Sequence, residues 1–234
     1  MGQKKLHRFA AIKTFTNVLE YPTGMVGQWH TLFKNSYPIT LELACGKGEY
    51  TVGLSKLYPQ QNFIGIDIKG NRIFVGAKKC LSENITNAAF LRTQIQKLPD
   101  YFNSNEVSEI WITFPDPQLR TSKAKNRLTH PRFLRIYQQV LRPGGYIHLK
   151  TDSTALYQFT KRVAELYNIP IATDIADVFA QPGISKALEI TTHYERLDIE
   201  QSNKIYYLKF TIPAALPDKD DELYEELKVT ELIK

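Results

Sequence analysis

Short apolar runs alternate with longer amphipathic stretches along most of this chain. Ile39-Thr-Leu-Glu-Leu is the first strong run, followed by a glycine-bearing turn and helical spacing over Glu49 to Leu57. The alternation continues with runs at Asn62–Ile66, Ala88–Thr93, Ile110–Phe114, Tyr146–Lys150 and Ile171–Ile175. Between them, Asn71–Ser82, His130–Leu141 and Thr154–Tyr167 carry apolar residues at helical spacing. A last run, Lys204–Ile212, follows Ile171–Ile175 without a helix of normal length between them, which predicts antiparallel entry. Runs of branched and aromatic residues bounded by turn formers read as buried strands, and helices between them imply parallel pairing. The expected fold class is α/β: a Rossmann-like, doubly wound, seven-stranded, mostly parallel sheet with an antiparallel final strand and helices on both faces. It occupies residues 39–212 as one domain, with no internal repeat and no linker. Residues 1–38 form a basic aromatic N-terminal arm packed on that domain. Residues 213–234 form an acidic C-terminal tail, either a mobile appendage or a short helix over Glu222–Ile233.

Composition narrows the class. With 43% hydrophobic residues, 12 Phe and 13 Tyr, a chain of 234 residues can bury a large core. No apolar run approaches the roughly 20 residues needed to cross a membrane. Met1-Gly-Gln-Lys-Lys-Leu-His lacks the apolar segment of a secretory signal, and Cys45 and Cys80 are too few for a disulfide framework. A cytoplasmic protein without membrane association is expected, as monomer or homodimer.

Charge is distributed unevenly. Residues 213–234 hold seven acids and three lysines, a net −4, so the first 212 residues carry +10 of the overall +6. A basic body implies a polyanionic partner. In the arm, Lys4, Lys5, Arg8, Lys13 and Lys34 face one acid, Glu20, and are interleaved with Phe9, Phe15, Tyr21, Trp29 and Tyr37. Those aromatics can stack on bases, pack on the domain, or do both.

Candidate chemistry falls at strand ends. Pro115 and Pro117 stop the Ile110–Phe114 run and fix Asp116 between them on a stiff corner. In open α/β sheets that edge binds ligands. Arg120, Lys123, Lys125, Arg127, Arg132 and Arg135 follow with no acid among them, which suits an anionic polymer. In the first turn, Gly46 and Gly48 let the backbone approach a ligand, and Asp67 lies where an acid accepts from ribose hydroxyls. A dinucleotide fits poorly, because a third glycine is missing and Glu42 and Glu49 would repel a pyrophosphate. Both acids suit the sulfonium and ammonium groups of S-adenosylmethionine.

Taken together, Leu41-Glu-Leu-Ala-Cys-Gly-Lys-Gly, Gly65-Ile-Asp, Phe114-Pro-Asp-Pro, Lys125-Asn-Arg-Leu, Leu141-Arg-Pro-Gly-Gly, Thr151-Asp and Thr192-His-Tyr-Glu resemble, in order and spacing, the bacterial tRNA (guanine-N7-)-methyltransferases. The resemblance runs from about Leu41 to Phe210. It implies methyl transfer from S-adenosyl-L-methionine to N7 of a variable-loop guanosine in tRNA; carboxylates where positive charge develops on the purine would stabilise the transition state, and Asp116 is the catalytic candidate, alongside Asp152 and Glu195. It implies donor contacts at Glu42, Asp67 and Asp116, with Gly46 and Gly48 beneath the methionine moiety. Gln94 stands where the family has Asp or Asn, and it can still hydrogen-bond adenine. Substrate contacts are implied at Arg120, Asp152, Thr192, Tyr194 and Glu195. Lys123, Lys125 and Arg127 are expected on tRNA phosphates, and no metal is expected. Gln118-Leu-Arg-Thr-Ser departs from the family's Trp-Pro-Lys-Lys-Arg: Arg120 keeps one charge while two neighbouring cations are lost. Cys45 is a further departure, in the first loop. The competing readings are a methyltransferase for a small molecule or another RNA, and a non-catalytic tRNA-binding protein.

Overall fold

A computed structural model describes residues 2–195 and 204–232. Its sheet has eight strands in the order β1-β4-β3-β2-β5-β6-β8-β7. These are β1 (Val18–Glu20), β2 (Ile39–Leu43), β3 (Asn62–Asp67), β4 (Ala88–Arg92), β5 (Val107–Thr113), β6 (Leu141–Thr151), β7 (Ile171–Ile175) and β8 (Tyr206–Thr211). All neighbours pair in parallel except β8, which runs antiparallel to both β6 and β7. The antiparallel final strand is therefore as expected, and it enters between β6 and β7. The expected count of seven is corrected to eight. The additional strand, β1, lies in the N-terminal segment, and its three residues are too few to display a period.

Each face of the sheet buries its own set of side chains, because successive residues of a strand point to opposite faces. One face carries Leu41, Leu43, Ile64, Ile66, Ile110, Ile112, Ile147, Leu149 and Leu208. It is covered by α2 (Trp29–Phe33), α5 (Pro131–Val140), α6 (Thr154–Leu166) and α7 (Asp220–Leu232), through Trp29, Tyr137, Val163 and Leu223 among others. The other face carries Phe63, Phe90, Trp111 and Tyr207 and packs on α3 (Glu49–Leu57) and α4 (Gly70–Ser82). Near-continuous apolar runs in β2 and β3 are what a parallel strand buried on both faces requires.

The N-terminal segment is woven into this architecture. The Trp29 indole is fully buried, stacks on Phe102 at 5.1 Å and donates Nε1–H to the Tyr101 carbonyl at 2.9 Å. Before it, α1 (Gly2–Ile12) packs Phe9 and Ile12 close to Gly70 at the start of α4. At the other end α7 is docked: Leu223 is buried, and the Asp220 carboxylate accepts two bonds from Arg135 at 2.7 and 2.8 Å and one from the Tyr167 hydroxyl at 2.6 Å. The tail helix expected to reach Ile233 runs from Asp220 to Leu232, and Ile233 lies outside the described residues. No helix among the described residues is long and apolar enough to cross a membrane.

Candidate active site

The parallel strands deliver their carboxyl ends to one edge, and a cleft of about 440 Å³ opens there. Its floor begins where β2 turns into α3. Ala44, Gly46 and Gly48 all have positive φ, at 54°, 56° and 71°. At Gly48 the left-handed backbone and the nearby Phe90 ring, 2.5 Å from where a Cβ would sit, both demand glycine. The turn is tied to β3: the Gly46 amide donates to Asp67 Oδ2 at 2.9 Å, and the Lys69 amide donates to Oδ1 at 2.8 Å. Each carboxylate oxygen keeps a lone pair for a ligand, and Asp67 lines the cleft.

Glu42 lies beneath this turn, almost fully buried. Its Oε2 accepts from the Thr51 amide at 2.7 Å and the Thr51 hydroxyl at 2.5 Å, and Oε1 accepts from the Thr113 hydroxyl at 3.1 Å. The carboxylate thus ties β2 to α3 and β5. Burial pushes its pKa up to about 7, against the lowering effect of those hydrogen bonds.

The opposite wall is the corner after β5. Phe114 has φ 47° and donates its amide to the Lys150 carbonyl at 2.8 Å, so the chain leaves the sheet abruptly. Asp116 Oδ1 accepts from the Gln118 amide at 3.0 Å, and Gln118 is itself left-handed at φ 49°. Two left-handed residues and two prolines therefore hold an exposed carboxylate at the cleft. Backbone strain of this kind is concentrated at functional sites. Asp152, directly after β6, and Tyr194 complete the wall.

Of the residues expected from sequence, Asp67, Asp116, Asp152 and Tyr194 are brought together around this cleft, with the Gly46 turn below Tyr194. Gln94 is exposed at the start of the 3-10 turn Ile95–Asp100 and is not among the lining residues. Arg120, Lys123 and Lys125 are exposed on the loop beyond the Asp116 corner.

Two expectations need correction. Arg127 is not available to RNA phosphates, because it is buried and its Nε and Nη2 groups donate to the carbonyls of Pro117, Gln118 and Leu119 at 3.1 to 3.3 Å. Glu195, expected at the substrate, is turned inward onto Lys150. Its side chain is about 5% exposed, and both oxygens lie within 3.2 Å of Lys150 Nζ. Thr192 is buried as well, and its hydroxyl accepts from the Glu195 amide at 3.1 Å. Charge patterning marks cations and acids without saying which of them fold inward.

Sequence reasoning also missed residues. Lys69 and Arg72 also line the cleft, and the Arg72 guanidinium sits 5.5 Å from the centre of the Tyr194 ring. Their position immediately after the strand-end Asp67 was the available signal. Lys150 was missed too, although a lysine inside an apolar run next to Thr151-Asp152 asks for a partner.

The cleft therefore offers three carboxylates around a glycine turn at the sheet edge, with Lys69 and Arg72 also on its lining and further cations on the loop beyond the Asp116 corner. Neither cysteine lines it: Cys45 is buried in the turn, with its thiol pKa pushed well above the usual value by burial, and Cys80 is buried on α4. Such an arrangement suits a cationic ligand and a reaction in which positive charge develops.

Comparison with known proteins agrees with this chemistry. A protein-family model described as "Putative methyltransferase" matches residues 36–208. The tRNA (guanine-N(7)-)-methyltransferase of Porphyromonas gingivalis is 47% identical over 211 residues, covering 85% of this chain and 86% of that protein. That of Bacteroides thetaiotaomicron is 41% identical over 234 residues, covering 95% and 92%. Among solved structures, the 16S rRNA methyltransferase KamB aligns with a TM-score of 0.59 at 16% identity, covering 82% of this chain and 94% of that one. A point mutant of the 16S rRNA (adenine(1408)-N(1))-methyltransferase of Catenulisporales acidiphilia, solved with its cosubstrate SAM, aligns at 0.53 and 12%, covering 82% and 93%. At such identities the two structures establish the fold alone.

Proposed function

The chain belongs to the tRNA (guanine-N(7)-)-methyltransferases, which take their methyl group from S-adenosylmethionine, and we propose that it methylates N7 of a variable-loop guanosine at the cleft between the Gly46–Gly48 turn and the Asp116 corner. The observation that carries this reading is the convergence of Asp67, Asp116 and Asp152 on one opening at the carboxyl edge of the sheet.

These residues fit the donor. Left-handed Gly46 and Gly48 bring backbone close to the cleft floor, and Asp67 keeps acceptor capacity for ribose hydroxyls. The carboxylates complement a ligand with two positive groups. When bound, the donor supplies an electrophilic methyl group, and the chain supplies the geometry and the charges around it.

Guanine N7 presents a lone pair on the major-groove edge, so no proton has to be removed before attack. Positive charge grows on the purine during transfer. In this reading Asp116 and Asp152, which both line the cleft, stabilise that charge electrostatically. Asp116 is the catalytic residue in this reading, held by its corner rather than by burial. Holding N7 in line with the methyl group supplies a further part of the acceleration. Arg120, Lys123 and Lys125, exposed beyond the corner, bind RNA phosphates and set register without reading bases.

The experiment is methylation of two tRNA transcripts, one with a guanosine in the variable loop and one with adenosine in its place. The first is expected to take up label from the donor and the second to lose it. Equal labelling of both would overturn the assignment of the target.

A further inference from the structure

We propose that Lys150 is a positioning residue that sets the Asp116 corner against the Tyr194 segment, and that Glu195 acts through Lys150 and not on the guanine. The inference rests on the cleft assigned above and deepens it.

Lys150 lies on β6 and is fully buried. An ammonium group removed from water has to find several acceptors, since a lone buried charge costs far more than folding can spare. Lys150 finds all of them on one stretch of chain: the carbonyls of Leu188 at 2.9 Å and Ile190 at 3.0 Å, and both oxygens of Glu195 at 3.1 and 3.2 Å. Glu195 is fixed in turn, because its Oε2 accepts the Thr192 amide at 3.3 Å. The segment from Leu188 to Glu195 is thereby held at its start, its middle and its end by one side chain. Tyr194, which lines the cleft, is carried on it.

The same ammonium group touches the other parts of the site. It lies 5.7 Å from the ring centre of Phe114, at the corner that carries Asp116, and 5.5 Å from that of Tyr50, on the helix that begins at Gly48. The Lys150 carbonyl accepts the Phe114 amide. Two residues further on is Asp152. Four cleft-forming segments therefore meet at one charged group that is itself out of reach of any substrate. A carboxylate fully engaged by that group is poorly placed to contact a base, whereas its loss would release the Tyr194 segment.

The test is a double-mutant cycle of Lys150→Met, Glu195→Met and the pair together, read as kcat and KM for unmodified tRNA with donor Kd measured separately. The phosphate-binding cations lie elsewhere, so tRNA KM is expected within about threefold of the parent protein; Tyr194 lies over the Gly46 turn, so donor Kd is expected to weaken, by much less than kcat falls. Each single variant should lose about a hundredfold in kcat, as displacement by about an ångström does. The double variant should be no worse than the worse single, because two residues acting as one unit do not add. Replacing both partners of a buried pair by apolar residues is also tolerated by folds that do not tolerate losing one. If a single variant fails to fold, the double variant carries the comparison, with the same hundredfold loss in kcat at unchanged KM expected.

Losses that multiply in the double variant would overturn the proposal by giving Glu195 an independent contact. So would an unchanged kcat in folded Lys150→Met or in the double variant, or a loss of donor affinity as large as the loss in kcat. A readout that needs no substrate separates this from the functional reading: tryptic cleavage after exposed Lys186 should accelerate at least tenfold in Lys150→Met. Unchanged cleavage in that variant would count against Lys150, whereas a parent protein unable to make 7-methylguanosine would count against the function instead.

Discussion

The guanidinium of Arg127 lies 4.4 Å from the centre of the Phe159 ring, stacked on α6 with its donors turned into the loop after the Asp116 corner. A residue in the middle of a basic run is thus a brace for the loop. Arg127→Ala leaves three carbonyls without their donor and is expected to cost about 2 kcal/mol or more in chemical denaturation. The salt dependence of tRNA binding should stay at the parent slope. Arg127→Lys should recover little, since an ammonium group cannot reproduce the fork.

Lys123 and Lys125 are the opposite case, exposed on the loop that Arg127 braces. Each alanine substitution should weaken tRNA binding with unchanged thermal stability and reduce the slope of log K against log salt by about 1. A slope equal to that of the parent protein in both variants would take this loop away from the RNA.

Glu42 gives the free protein a pH dependence of defined sign. Its folded pKa of about 7 lies above the ordinary value of 4.5, because the ionised form is buried. The folded state then holds a proton that the unfolded chain has released, so stability is highest below pH 4.5 and declines as pH rises towards 7. The full decline attributable to this group is on the order of 3 kcal/mol. Denaturant titrations at pH 5 and pH 8 should show it in the parent protein and show it flattened in Glu42→Gln.

The C-terminal helix is part of the core despite its acidity. Leu223 is about 1% exposed beneath α7, and Arg162 donates Nε–H to Glu226 Oε2 at 2.7 Å. Leu223→Ala should cost about 2 to 3 kcal/mol, at the lower part of the range for buried leucines because a terminal helix can relax. Asp220→Ala, which frees Arg135 and the Tyr167 hydroxyl, should cost about 1 kcal/mol, the pair being partly exposed.

The readable parts of this chain were those where one local cause acts alone. Leu41 to Gly48 could be read because a buried parallel strand must be apolar and its turn must be left-handed at the glycines. The Asp116 corner could be read because two prolines leave the chain little freedom. Val18–Glu20 could not, since its place in the sheet comes from pairing with β4 far along the chain. The fates of Arg127, Arg135 and Glu195 were hidden for a related reason. Whether a charge faces solvent or a partner is decided by elements distant in sequence, here α6, α7 and β6. Sequence pattern assigned the exposed cations and the cleft acids to the same neighbourhoods where the structure places them, but it could not sort braces from contacts.

The central claim is that Asp116 stands at the site of methyl transfer to guanine N7. The measurement is turnover on unmodified bulk tRNA with labelled S-adenosylmethionine, followed by nucleoside analysis, for the parent protein and Asp116→Asn. The parent protein should place its label in 7-methylguanosine. The variant, with an unchanged melting temperature because Asp116 is exposed, should lose about a hundredfold or more in kcat. Label in a different nucleoside, or a folded Asp116→Asn that turns over like the parent protein, would contradict the account.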